Sequence, residues 1–159
     1  MGPEAGLEAG RRGDPVTFDE MARDYLRRAQ ARRKALDTLF ASAAYPDVVR
    51  ESQDVAELVL KGALRFVGVD PPKRHDVHKV LARFIGRFPG EWREALDELQ
   101  ASLDRLAQER GPAFYGDDER GVPASDLFDE ADARRAMSVA DRLLDLYRRL
   151  LGETGEPGR

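Results

Sequence analysis

Apolar residues recur at helical spacing in five stretches of the chain, and no stretch alternates with the period of two that marks a strand. The first stretch runs from about Thr17 to Ala43, with Phe18, Ala22, Tyr25, Ala29, Leu36, Phe40 and Ala43 close to one face. "TFDE" at its start reads as a capping box, with Thr17 as N-cap and Glu20 reaching back. The second runs from about Pro46 to Val67. It carries the broadest stripe, from Val48 through Val55, Val59 and Leu64, and is expected to be the most buried helix. Pro46 suits its first turn and Gly68 its stop. The third covers about Asp76 to Phe88 and the fourth about Gly90 to Arg110, where Gly111-Pro112 is expected to end it. "GPAFYGDDERGVPASDLF" then reads as a long non-helical loop, and the fifth helix follows from about Asp129 to Leu151.

Amphipathic helices joined by short turns imply an all-α, up-and-down antiparallel bundle of about five helices. Residues 1–13 and 152–159 lack periodicity and read as disordered tails around a helical domain at 14–151. Two of the helices, at about 22–27 residues, are long enough to bury more than one bundle core, which points to a homodimer.

Composition changes this picture little. Charged residues make up 35% of the 159, but the net charge is only −4, so bulk charge gives no argument for nucleic-acid or membrane binding. The basic run Arg27, Arg28, Arg32, Arg33 and Lys34 reads as a solvated face offset by Asp24 and Asp37. No apolar run approaches the roughly 18–20 residues of a membrane helix, and the N-terminus lacks the apolar core of a signal peptide, so a cytoplasmic protein is expected. The absence of cysteine excludes disulfides and thiolate zinc sites.

Candidate chemistry concentrates in "VGVDPPKRHDVHKVL", which holds the chain's two histidines, His75 and His78. They lack the further ligands that a metal site needs, so no metal or other cofactor is expected. Asp76 is placed to cap the third helix by accepting a backbone N–H of its first turn. A helix N-terminus there would also attract an anion beside His75.

This region resembles the HEPN family, the higher eukaryote and prokaryote nucleotide-binding domains. The family's helix of the form R-x-x-Q-x-x-x-E-x-x-x-K-x-x-L reads here as Arg50, Gln53, Glu57, Lys61 and Leu64. Gly68, Pro71-Pro72 and His75-Asp76 match the turn and the opening of the next helix, and Tyr115-Gly116-Asp117 matches the family's later loop. The resemblance runs from about Phe18 to Leu150. It implies a helical bundle, commonly dimeric, of the branch that partners a minimal nucleotidyltransferase in two-component, toxin–antitoxin-like systems. It also implies a nucleotide or RNA ligand bound by Arg50, Gln53, Glu57, Lys61, Arg74, His75, Asp76, Tyr115 and Asp117. Glu57 and Lys61, at i, i+4 spacing, are also suited to an ordinary intrahelical pair.

A second branch of the family consists of metal-independent RNases marked by Arg-x4–6-His near the last helix. The motif is absent here. Asp70, Val69 and Gly68 stand five to seven residues before His75, and Lys73, Pro72 and Pro71 stand there before His78. No histidine follows residue 78. No catalytic residue is therefore assigned, and a non-enzymatic binding module is expected. The alternatives are an atypical RNase using His75 or His78, and a structural adaptor whose polar strip fixes helix register.

Overall fold

A computed structural model describes the backbone of residues 15–153 and the side chains from Asp19 onward. Helices α1 (Pro15–Ala41), α2 (Tyr45–Phe66), α3 (Val77–Arg83), α4 (Gly90–Tyr115), α5 (Ala124–Leu127) and α6 (Glu130–Leu150) follow in order. A single 3-10 turn, Ile85–Arg87, extends α3. There is no strand among the described residues, only an isolated bridge between Asp117 and Val122. The bundle is all-α, as the periodicity predicts.

Helix α2 is the hub, packed against α1, α4 and α6. Its stripe of Val48, Val55, Val59, Ala63 and Leu64 is wholly buried, in keeping with the sequence. Pro46 lies in its first turn. Gly68 ends it in a Schellman closure: Gly68 N–H donates to Arg65 O at 3.0 Å and Val69 N–H to Leu64 O at 2.9 Å. Gly68 takes φ +84°, which a side chain would resist. Helix α6 opens with a reciprocal capping box, in which the Asp129 carboxylate accepts Asp132 N–H and the Asp132 carboxylate accepts Asp129 N–H, both at 2.9 Å. The backbone N–H of Asp132 holds the Asp129 carboxyl below its usual range.

Tyr147, buried on α6, donates its hydroxyl to the Ala22 carbonyl of α1 at 2.5 Å. Gly62 of α2 lies beneath that ring: a Cβ there would overlap the Tyr147 hydroxyl and stand 3.0 Å from Tyr25 Cβ. This glycine is needed for helix approach, a role its place in the apolar stripe does not announce.

Several expectations are corrected. Helix α4 does not stop at Gly111-Pro112 but runs on to Tyr115 with Pro112 inside it. Pro112 has no N–H to return to the preceding turn. Tertiary contacts hold that last turn: Ala113 is buried, and the Arg50 guanidinium lies 4.5 Å from the centre of the Phe114 ring. The long loop contains a short helix, α5. Helix α3 is seven residues, not the thirteen its apolar spacing suggests, because the chain tightens to 3-10 geometry before Pro89. Helix α1 begins at Pro15, two residues before Thr17, and the Thr17 capping side chain lies outside the described residues. So do the N-terminal tail assigned to residues 1–13 and most of the C-terminal one. Gly152 and Glu153, assigned to that tail, instead close α6, with Glu153 N–H on Arg148 O at 2.9 Å.

Three of the five cations in the basic run of α1 are held in ion pairs. Arg32 meets Glu51 at 2.7 Å, Arg33 bridges Asp37 at 2.9 Å and Asp141 at 2.5 Å, and Arg27 reaches Asp24 at 3.4 Å. This is the solvated face the sequence suggested.

Candidate functional site

Gln53, Glu57 and Lys61 recur every four residues along α2, so they form one polar strip on a largely apolar helix. Gln53 is almost fully buried, and Glu57 and Lys61 are mostly covered. Polar groups so placed need partners. They find them in the segment between α2 and α3, which Pro71-Pro72 keeps from continuing the helix. The Gln53 amide donates to the His75 carbonyl at 3.0 Å. The Glu57 carboxylate meets His75 Nδ1 at 2.6 Å through one oxygen and Lys61 Nζ at 3.4 Å through the other. His75 is thus fixed twice, by backbone and by ring, while its side chain remains 56% exposed.

Arg74 turns back on Asp76 in a two-point contact, Nε to Oδ1 at 2.8 Å and Nη2 to Oδ2 at 2.6 Å. That guanidinium holds the Asp76 carboxyl below the usual carboxylate range. Lys79 approaches the same carboxylate at 3.6 Å. Asp76 does occupy the N-cap position of α3, but its side chain accepts no backbone N–H there, which corrects the expected cap. Arg74 and Lys79 have taken the carboxylate instead. With seven residues and this carboxylate at its head, α3 is a poor anion site in its own right.

The two histidines part company. His78 is buried at 4% exposure and its Nε2 meets Asp104 of α4 at 2.6 Å. It is a satisfied core histidine, and its carboxylate partner reaches the surface. Between α3 and α4 opens a cleft of about 530 Å³ lined by Arg74, His75, Asp76, Lys79, Asp104, Ala107 and Gln108. Asp104 and Gln108 lie on the polar face of a long helix, and nothing in the sequence singled them out. No group of three or more histidine, aspartate or glutamate side chains able to hold a metal ion occurs among the described residues.

Arg50, Tyr115 and Asp117 are not drawn into this cleft. Arg50 donates to the Arg110 carbonyl at 2.9 Å and stacks on Phe114. Tyr115 is 70% exposed and meets only the edge of Phe114, with ring centres 4.7 Å apart. Asp117 pairs with Val122 across a tight turn and accepts Arg120 N–H at 3.1 Å. Gly116 makes that turn possible at φ +77°, where a Cβ would stand 2.5 Å from the Val122 carbonyl oxygen. The Tyr-Gly-Asp motif therefore builds the exit from α4, while the α2 strip and the His75 segment build the cleft.

No described helix is long and apolar enough to cross a membrane. No curated protein and no solved structure matches the chain. The family model for the HEPN domain does, over residues 22–150, which takes in all six helices but the first turns of α1. The chain therefore belongs to the HEPN domain family, a group of helical, often dimeric modules of nucleotide and RNA biology.

Proposed function

We propose that this chain is a nucleotide-binding and interaction module that works as a dimer with a minimal nucleotidyltransferase in a two-component, toxin–antitoxin-like system. The observation that carries the reading is an open cleft lined by Arg74, His75 and Lys79, with Gln53, Glu57 and Lys61 behind it fixing His75 in place. Cleft volumes of roughly 300–1,000 Å³ suit small ligands. The cations Arg74 and Lys79 stand beside Asp76 and Asp104, so the lining is nearly neutral. That balance favours one phosphate-bearing ligand over diffuse polyanion binding.

Titration of a labelled nucleotide tests the site. Wild type is expected to bind, and a Lys61→Ala/Arg74→Ala variant to bind more weakly. Equal affinity in the two would remove the site. The adaptor reading would then lead, because Glu57, Lys61 and Gln53 already satisfy one another and the His75 carbonyl. Incubation with mixed RNA tests the non-catalytic character. Cleavage that disappears in a His75→Ala/His78→Ala variant would overturn it. Light scattering at micromolar concentration and copurification with a nucleotidyltransferase test the partners.

A further inference from the structure

The chemistry of the cleft wall says which part of a nucleotide it faces. Glu57 offers only acceptors, so the hydrogen between it and His75 sits on Nδ1. In the neutral imidazole the other nitrogen, Nε2, is then an acceptor. His75 lines the cleft and is more than half exposed. Across the cleft, Asp104 gives one carboxylate oxygen to His78. Its side chain is 38% exposed, and a carboxylate oxygen only accepts. With the imidazole neutral, two acceptors on opposing elements thus line one space, and they ask for a donor-rich group. Arg74 and Lys79 share the Asp76 carboxylate, but both side chains are more than half exposed at the same cleft and keep further N–H donors for an anion.

We infer that the cleft recognises the vicinal ribose hydroxyls of a 5′-phosphorylated ribonucleotide, with His75 Nε2 and Asp104 accepting from the diol and Lys79 and Arg74 facing the phosphate. The inference rests on the nucleotide-binding reading above and sharpens it to a ribose-specific one. The α2 strip then acquires a definite task. Lys61 holds Glu57, Glu57 holds the His75 ring in one tautomer, and Gln53 holds the His75 backbone, so the acceptor is aimed before the ligand arrives. Asp76, the remaining carboxylate of the lining, is engaged by Arg74 and Lys79 and does not compete for the diol. A free mononucleotide and the 3′ end of an RNA strand carry the same diol.

Calorimetric titration of the full chain separates the outcomes. The probes are AMP, its 2′,3′-dideoxy analogue and a short RNA with a free 3′ diol. Wild type should bind AMP about tenfold or more tightly than the dideoxy analogue, the scale of hydrogen bonds that include a charged acceptor. His75→Ala, an exposed position, should keep its thermal midpoint and lose most of that ratio. An RNA that binds more tightly than AMP would support the diol reading and name a strand end as its source, and the reverse order would name a free nucleotide. Equal affinity for AMP and the dideoxy analogue in wild type would overturn ribose recognition while leaving nucleotide binding in place. No binding of any probe would overturn both. A diol preference unchanged in His75→Ala would remove His75 from the site.

Discussion

Helix α2 meets its neighbours in two different ways. Beneath α6 and α1, Gly62 lies against the Tyr147 ring, whose hydroxyl is given to the Ala22 carbonyl. Toward the segment before α3, the contact runs through Gln53 and Glu57 to His75, a residue whose side chain is more than half exposed, with Lys61 on the second Glu57 oxygen. The first contact is fixed by shape and cannot be exchanged for water. The second is made of groups that water or a ligand can replace at modest cost. A bundle needs the first kind to fold. The second costs side-chain ordering, and a ligand repays it.

Substitutions can break this contrast, and the largest effect is expected at the shape-determined contact. Gly62→Ala gains up to about 1 kcal/mol in helix propensity but forces the Tyr147 ring to move. A net loss of about 2 kcal/mol is expected, read as a lowered thermal midpoint, and Tyr147→Phe in the same chain should recover part of it. A midpoint raised by the alanine would mean that the contact is looser than described.

Asp104→Ala strands the buried His78 without its acceptor and should cost about 1–2 kcal/mol in chemical denaturation. This sharpens the division between the histidines, since His75 has no comparable structural duty.

The next effect is one of pH. Burial raises the Tyr147 hydroxyl well above its ordinary 10.0. A raised pKa gives stability that is whole below 10.0 and is lost as pH rises from there toward the folded-state value. The slope attributable to this one group should approach about 1.4 kcal/mol per pH unit at most. Tyr147→Phe should flatten that alkaline slope, at a cost of about 1 kcal/mol at neutral pH for the lost hydrogen bond. An unchanged slope would place the loss on other groups.

The smallest stability effect is expected at the cleft. His75→Ala should change the unfolding free energy by less than about 0.5 kcal/mol, because the pair with Glu57 is more than half exposed on the histidine side. A large loss there would erase the contrast and make the strip a structural seam.

Much of this was legible in the chain. The stripe from Val48 to Leu64 announces a buried helix, and Gly68 its end, because spacing and a left-handed stop are local properties. The polar strip was legible for the same reason, since every fourth residue must share a face. What escaped depends on distant partners. Nothing near Gly111-Pro112 says that Arg50, sixty residues earlier, will stack on Phe114 and accompany the helix through its proline. Asp104 looks like any acidic residue on a solvated face until His78 is seen beneath it. Gly62 looks like a weak point in a helix until Tyr147 is placed above it.

The bond from Tyr147 to Ala22 spans 125 residues, and Arg23 adds a 2.7 Å pair with Glu153 at the far end of α6. The first helix and the last are therefore sewn together. During synthesis, α1 and α2 can pair early, but the surface around Gly62 stays bare until α6 has left the ribosome. A nascent chain stalled before Glu130 presents that apolar surface to whatever is near, and closure of so long a loop is the step that completes the domain.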